Sequence, residues 1–219
     1  MTVNALVFDF DGLLMDTETT MVEGWRAAWA QHGLTLDLDD GFWPGHGGDV
    51  TAHRLDRLAA LVGPTFDRGV GHRAYEAHRA RLNGSLPLRP GVAEWLSAAR
   101  DAGVALAVAS SSPRSWVREH LTRAGVFDHF DTIATGDEVA DHKPDPAVYH
   151  LALRRLGVPA HEAAAVEDTP HGLAAARAAG MRTVGIPNPF VPATALAAAD
   201  LVLASAADLP LKDLLTRLA

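Results

Sequence analysis

Leu6-Val7-Phe8-Asp9-Phe10-Asp11-Gly12-Leu13-Leu14-Met15-Asp16-Thr17 is the stretch whose reading decides the fold. An apolar run reaches two carboxylates separated by one residue, then a glycine. Short continuous apolar runs bounded by turn signals read as buried strands of a parallel sheet. Side chains alternate along an extended strand, so Asp9 and Asp11 are expected on the same side as the strand ends. Asp-Gly alone is a common turn signal. Two aspartates closing a core strand are a different matter. Adjacent carboxylates at low dielectric repel each other and call for a cation or a shared proton.

Downstream of Asp16 the pattern turns helical. Met21, Val22, Trp25, Ala28 and Trp29 fall at helical spacing, and Gly33-Leu34 supplies a stop. The turn Gly45-His46-Gly47-Gly48 leads into a second apolar-periodic segment with Leu55, Leu58, Ala59 and Val62. A third, polar segment runs from about Thr65 to Leu82. The glycine-rich turn neither matches G-x-G-x-x-G nor follows a strand, which excludes a dinucleotide-binding reading. No strand pattern intervenes. Residues 17–87 are therefore predicted to form an inserted α-helical domain, with residues 1–16 and 88–219 forming the core domain.

From Pro90 onward the chain alternates between helix and strand. Helical patterns end at Gly103-Val104, Gly125-Val126, Gly157-Val158 and Gly180-Met181, each a glycine followed by an apolar residue. Ser112-Pro113, Asp145-Pro146 and Thr169-Pro170 read as helix starts, a side-chain cap followed by proline at the first helical position. Between them lie the apolar segments Val104–Ala109, Thr132–Ala134, Ala164–Val166, Thr183–Ile186 and Leu201–Leu203. With Ala5–Phe8 these make six predicted strands of an α/β, doubly wound parallel sheet.

Composition narrows the function. The chain has 19 basic and 27 acidic residues, a formal charge of −8, which disfavours nucleic acid and anionic membranes as partners. The absence of cysteine excludes disulfides, thiolate catalysis and thiolate-zinc sites. No apolar run reaches membrane-spanning length, and no basic region precedes the first apolar stretch, so a soluble cytoplasmic protein is expected. Positive charge is carried almost wholly by arginine, with lysine only at Lys143 and Lys212. An ammonium is a compact point charge that arginine does not replace, which singles out Lys143. The eleven histidines contain no H-E-x-x-H pair and are expected to be solvated, with His46 the candidate near substrate.

In doubly wound sheets ligands bind at the carboxyl ends of the strands, beside the switch in strand order. After the first predicted strand come Asp9 and Asp11. After Val104–Ala109 comes Ser110-Ser111-Ser112, and after Ala164–Val166 comes Glu167-Asp168. Lys143 lies in Asp141-His142-Lys143-Pro144-Asp145-Pro146, just before a helix. Taken singly, the serines read as caps, the acidic pair as favourable charge at a helix start, and the lysine as a solvated loop charge. Together they present acid, hydroxyl, cation and acid to one edge.

This order resembles the haloacid dehalogenase-like hydrolases, in particular the branch of β-phosphoglucomutase and the small sugar-phosphate and phosphoglycolate phosphatases. Asp9-Phe10-Asp11-Gly12-Leu13 with Asp16-Thr17-Glu18 is similar to the family's opening motif, and Ala109-Ser110 to its second. Lys143-Pro144-Asp145-Pro146 resembles the third, and Glu167-Asp168-Thr169-Pro170-His171-Gly172 the fourth. The helical insertion corresponds to the family's α-helical cap.

The resemblance implies a Mg²⁺-dependent phosphatase acting as a monomer on a small phosphorylated metabolite. Asp9 would be the nucleophile, forming an aspartyl-phosphate, and Asp11 the general acid and base. Ser110, with Ser111 beside it, and Lys143 would hold the phosphoryl oxygens. The metal would take the Asp9 carboxylate, the Asp11 backbone carbonyl and Asp168, with Glu167 as a ligand or its partner. A dehalogenase has no need of Asp11, and a phosphonate-cleaving enzyme needs a cap lysine that is absent here. A β-phosphoglucomutase-like mutase is the alternative, weakened because Met21 stands where those enzymes carry a histidine and Gly48 where they carry an arginine. A catalytically retired binding or regulatory protein is a further alternative, and it should have lost one of the carboxylates or the lysine.

Overall fold

Alternating small and bulky apolar residues build the sheet. In the computed structural model, which describes residues 2–38, 42 and 50–219, the strands are β1 (Ala5–Phe8), β2 (Ala105–Ser110), β3 (Thr132–Thr135), β4 (Ala163–Glu167), β5 (Arg182–Gly185) and β6 (Leu201–Val202). They pair in parallel, as the alternation predicts, and in the order β3-β2-β1-β4-β5-β6. β1 is central, with Ala5 opposite both Ala105 and Ala163. The order reverses at β1, so Asp9 stands at the switch point.

One face of the sheet is lined by Ala5, Val7, Ala107, Ala109, Ala163 and Ala165, all fully buried. These small residues let α6 (Ala147–Leu156) and α7 (Pro170–Ala178) lie close, through Val148, Tyr149 and Ala152 on one and Ala175 and Ala176 on the other. The bulkier Leu6, Phe8, Leu106 and Val108 alternate with them and are equally buried. α4 (Val92–Asp101), α5 (Arg114–Arg123) and α8 (Leu211–Leu218) complete the core helices. Trp95 of α4 donates its indole N–H to the Leu209 carbonyl at 2.8 Å, tying the C-terminal segment to the core.

The four predicted helix-ending glycines, Gly103, Gly125, Gly157 and Gly180, all have positive φ. Of the predicted starts, Thr169-Pro170 is as expected, with the Thr169 hydroxyl accepting from the Gly172 N–H at 3.2 Å and Pro170 first in α7. Ser112-Pro113 is not. Pro113 itself precedes α5 without a side-chain cap, because the Ser112 hydroxyl is used elsewhere.

The chain divides into two compact units, Met1–Glu18 with Pro87–Ala219, and Thr19–Leu86. In the second unit α2 (Val50–Val62) and α3 (Arg68–Asn83) follow α1 (Thr17–Ala30), which starts in the first. Its interior is aromatic. Trp25 stacks on Tyr75 at 4.2 Å and meets Trp29 edge-on at 6.0 Å. The buried Arg54 guanidinium lies 4.2 Å over the Phe42 ring and donates to the Phe42 carbonyl, which satisfies a cation that burial would otherwise penalise. The predicted Gly45–Gly48 turn, with His46 and Gly48, lies outside the described residues. Among the described residues no helix is long and apolar enough to cross a membrane.

Candidate active site

β1, β2 and β4 end side by side, and their last residues meet. Lys143, from the loop before α6, reaches across them. Its ammonium donates to Asp9 Oδ1 at 2.5 Å, to Glu167 Oε1 at 2.6 Å and to the Ala109 carbonyl at 2.8 Å. The side chains are nearly closed to solvent, with 7% of Lys143, 10% of Asp9 and 1% of Glu167 exposed. Asp168 joins them: Asp9, Glu167 and Asp168 each offer a carboxylate oxygen within 4.8 Å of the others.

Three buried carboxylates therefore share a cluster with one ammonium, which bonds Asp9 and Glu167. Burial pushes Asp9 up to about 8, against the attraction of Lys143 and with added repulsion from Glu167 and Asp11. Burial also raises Asp168 well above the ordinary carboxylate range, reinforced by the charges of Asp9 and Glu167. Lys143 is desolvated too, but the outnumbering carboxylates overcome this and hold it above its usual value. The cluster is short of positive charge.

The contacts behind these residues are specific. The Tyr149 hydroxyl donates to Glu167 Oε1, and Glu167 Oε2 accepts from the Asp168 N–H at 3.2 Å. Asn188 donates to Asp168 Oδ2 at 2.8 Å while its own Oδ1 accepts from the Phe190 N–H. A Cβ on Gly12 would lie 2.2 Å from Asp168 Oδ2, so the loop after β1 approaches that carboxylate as only glycine permits. The Arg89 guanidinium donates to the Gly12 carbonyl at 2.5 Å and to the Pro187 carbonyl at 2.9 Å, clamping the loops that carry Asp11 and Asn188.

Asp11 sits beside this cluster in a ring of donors. Its Oδ1 accepts from Thr17 Oγ1 and from Trp116 Nε1, both at 2.9 Å. Its Oδ2 accepts from Ser112 Oγ at 2.6 Å, with Ser110 Oγ at 3.5 Å. Ser110 is buried and accepts the Ser112 N–H at 3.0 Å. Ser111 is exposed, and its carbonyl packs against Gly136. Thus Asp9, Lys143, Glu167 and Asp168 converge, and Asp11 and Ser110 adjoin them. His120 departs from the solvation expected of the histidines: it is 3% exposed and packs on Trp116.

Sequence reasoning missed Tyr149, Asn188, Arg89, Ser112 and Trp116. Asn188 had a usable signal, since it stands three residues past β5, at the same carboxyl edge of the sheet that carries Asp9 after β1. The others act across elements distant in sequence, and no local pattern marks them.

The geometry has counterparts among known proteins. The profile of the haloacid dehalogenase-like hydrolases matches residues 6–186, a span holding Asp9, Asp11, Ser110, Lys143, Glu167 and Asp168. The chain belongs to that family. Bacillus subtilis YhcW is 38% identical over 187 residues, covering 85% of this chain and 84% of its own. Hexitol phosphatase B of Escherichia coli K12 is 30% identical, with 96% of both chains covered. The crystal structure of CbbY from Rhodobacter sphaeroides, in complex with xylulose 1,5-bisphosphate, superposes with a TM-score of 0.73 at 33% identity, over 94% of this chain and 96% of that one.

Proposed function

We propose that this hydrolase is a Mg²⁺-dependent phosphatase that cleaves a small phosphate monoester, a sugar phosphate or similar metabolite, through an aspartyl-phosphate on Asp9. It acts as a monomer in the cytoplasm, and Thr19–Leu86 is its cap. The observation that carries the reading is the buried convergence of Asp9, Lys143, Glu167 and Asp168, with Asp11 alongside. A relative named hexitol phosphatase B and the CbbY structure in complex with xylulose 1,5-bisphosphate support the substrate class.

The cluster fits a hard divalent cation. Its candidate ligands are all oxygen, and its carboxylates exceed its positive charge. Asp9, Asp168 and the Asp11 carbonyl would hold Mg²⁺. Glu167 belongs behind them, because both its oxygens already accept hydrogen bonds. The cation, when bound, supplies charge that lets an anionic nucleophile approach an anionic phosphate.

The chain's own groups account for the rest. The Asp9 carboxylate attacks phosphorus as the bond to the leaving oxygen breaks. Asp11 delivers a proton to that oxygen. Asp11 then takes a proton from water, whose oxygen attacks phosphorus, releasing orthophosphate and restoring Asp9. Lys143 offsets charge on Asp9 and on the phosphoryl oxygens, and the Ser110 hydroxyl donates to one of them. A retired protein should have lost one of the carboxylates or the lysine, and none is lost here, which supports an enzyme over that alternative.

The test is orthophosphate release across sugar phosphates, phosphoglycolate and nucleotides, with and without Mg²⁺, for the wild type and Asp9→Asn. Turnover of at least one ester and its loss in Asp9→Asn are expected, because an amide cannot attack. Near-wild-type release by a folded Asp9→Asn preparation refutes the mechanism.

A further inference from the structure

Trp116 lies on α5, 105 residues from Asp11 in sequence, yet its indole N–H meets Asp11 Oδ1 at 2.9 Å. An indole nitrogen is only ever a donor. The second group on Oδ1 is the Thr17 hydroxyl, whose oxygen accepts the Gly12 N–H at 3.1 Å and whose proton is directed to Asp11. Oδ1 is thereby held by one donor that cannot reverse, the indole N–H, beside the Thr17 hydroxyl. Among the described residues, Oδ2 faces the hydroxyls of Ser112 and Ser110, which can rotate to donate or to accept. The two oxygens of Asp11 are thus made unequal by their neighbours.

The indole is itself braced. His120, one turn further along α5, lies against it with ring centroids 4.0 Å apart. One ring nitrogen of His120, Nδ1, lies 2.9 Å from the Trp116 carbonyl, which can only accept, so Nδ1 donates. The other side of His120 meets the ring of Phe10 edge-on at 5.9 Å. Phe10 separates the two aspartates in sequence and is fully buried. The path from Asp11 through Trp116 and His120 to Phe10 therefore returns to the backbone carrying Asp11. A closed circuit of this kind locks a rotamer in a way that a solvated partner does not.

We propose that Trp116 is a positioning residue for the acid/base step: it holds Asp11 Oδ1, so that Oδ2 is the oxygen left to serve the leaving group. This rests on the role given to Asp11 above. It concerns the orientation of a group that acts on the substrate, so its effect must depend on how much the leaving group needs a proton. An alkoxide leaves poorly without one, whereas p-nitrophenolate departs unaided. A residue that merely supports the fold would not distinguish between them.

The test replaces Trp116 with 3-benzothienylalanine, which keeps the bicyclic shape and removes the N–H, and in parallel makes Trp116→Phe and Asp11→Asn. kcat/KM is measured in saturating Mg²⁺ for p-nitrophenyl phosphate and for the best alkyl ester from the release screen. This quantity reports the steps up to formation of the phosphorylated enzyme. Loss of the N–H should lower it about tenfold on the alkyl ester, the scale of one charge-assisted hydrogen bond, and less than about twofold on the aryl ester. Trp116→Phe should follow the same direction, and if it does not fold the isostere carries the test alone. Losses that differ by less than about threefold between the two esters overturn the proposal, on the same energetic scale. If Asp11→Asn is selective for the alkyl ester and the Trp116 variants are not, only the positioning role falls. If Asp11→Asn shows no selectivity, the acid/base assignment falls and the positioning role with it.

Discussion

Adding one methyl group at Gly172 should disable the site. Gly172 is the third residue of α7, and a Cβ built there would lie 2.0 Å from both Cδ and Oε2 of Glu167 and 2.1 Å from Oε1. Ordinary contact begins near 3.4 Å, so the carboxylate or the first turn of the helix must retreat by about 1.4 Å. The Lys143–Glu167 contact of 2.6 Å does not survive such a shift, and Tyr149 and the Asp168 N–H bond to the same carboxylate. Losing a charge-assisted hydrogen bond costs about 1.5–3 kcal/mol and overpacking about 1–3 kcal/mol. Gly172→Ala should therefore destabilise the protein by roughly 3–6 kcal/mol, lowering Tm by at least about 6 °C for a chain of this size. Displacing Lys143 by about 1 Å should lower kcat/KM about a hundredfold. Gly157→Ala is the control. Gly157 has φ +69° with no atom within 4 Å of the added carbon, so it should cost only the left-handed strain of about 1–2 kcal/mol and spare kcat/KM. Thermal unfolding and phosphate-release kinetics on both variants decide it. Gly172→Ala retaining kcat/KM within a few-fold of the wild type would refute the packing argument.

Two other predictions test the charge balance. Saturating Mg²⁺ should raise Tm, by the equivalent of about 2.7 kcal/mol at a hundredfold excess over Kd. Asp168→Asn should abolish most of that gain, and an unchanged wild-type Tm on addition of Mg²⁺ or EDTA would count against the proposed ligands. Away from the site, hydrogen bonding by Arg155, then Thr135, with Arg114 adding charge, holds the Glu138 carboxyl at about 2, below its ordinary value of 4.5. A depressed folded-state value stabilises above the unfolded value and is lost as pH falls toward 2. Glu138→Gln should thus lower Tm by a few degrees at pH 6, on the order of 1 kcal/mol for a partly exposed pair, and converge with the wild type near pH 2. A difference that persists undiminished at low pH would contradict it.

What the chain revealed in advance follows from which interactions are local. Ala5–Phe8 is legible because a strand buried on both faces must be continuously apolar, and Asp9 because a charge at the end of such a run is out of place. Lys143 stood out because the chain otherwise uses arginine. The serine triplet was the instructive failure. Ser-Ser-Pro carries a helix-start pattern, but Ser112 meets Asp11, 101 residues away, and a local pattern cannot register that. Trp116 and Tyr149 were hidden for a related reason. Each occupies a helix whose apolar periodicity already explains an aromatic residue, so the polar end of the ring left no mark.

The central position of β1 also bears on how the chain is made. The partners of Ala5 are Ala105 and Ala163, which follow it by 100 and 158 residues. At ribosomal rates of about 5–20 residues per second, β1 waits roughly 8–30 s for its second partner. Meanwhile the continuous stretch Thr19–Leu86, with its own aromatic interior, can gather from contacts already synthesised. Until β2 emerges both edges of this apolar strand are unpaired, and until β4 emerges one still is, open to wrong pairings. A strand fully covered in the finished molecule is the one that spends longest uncovered during synthesis.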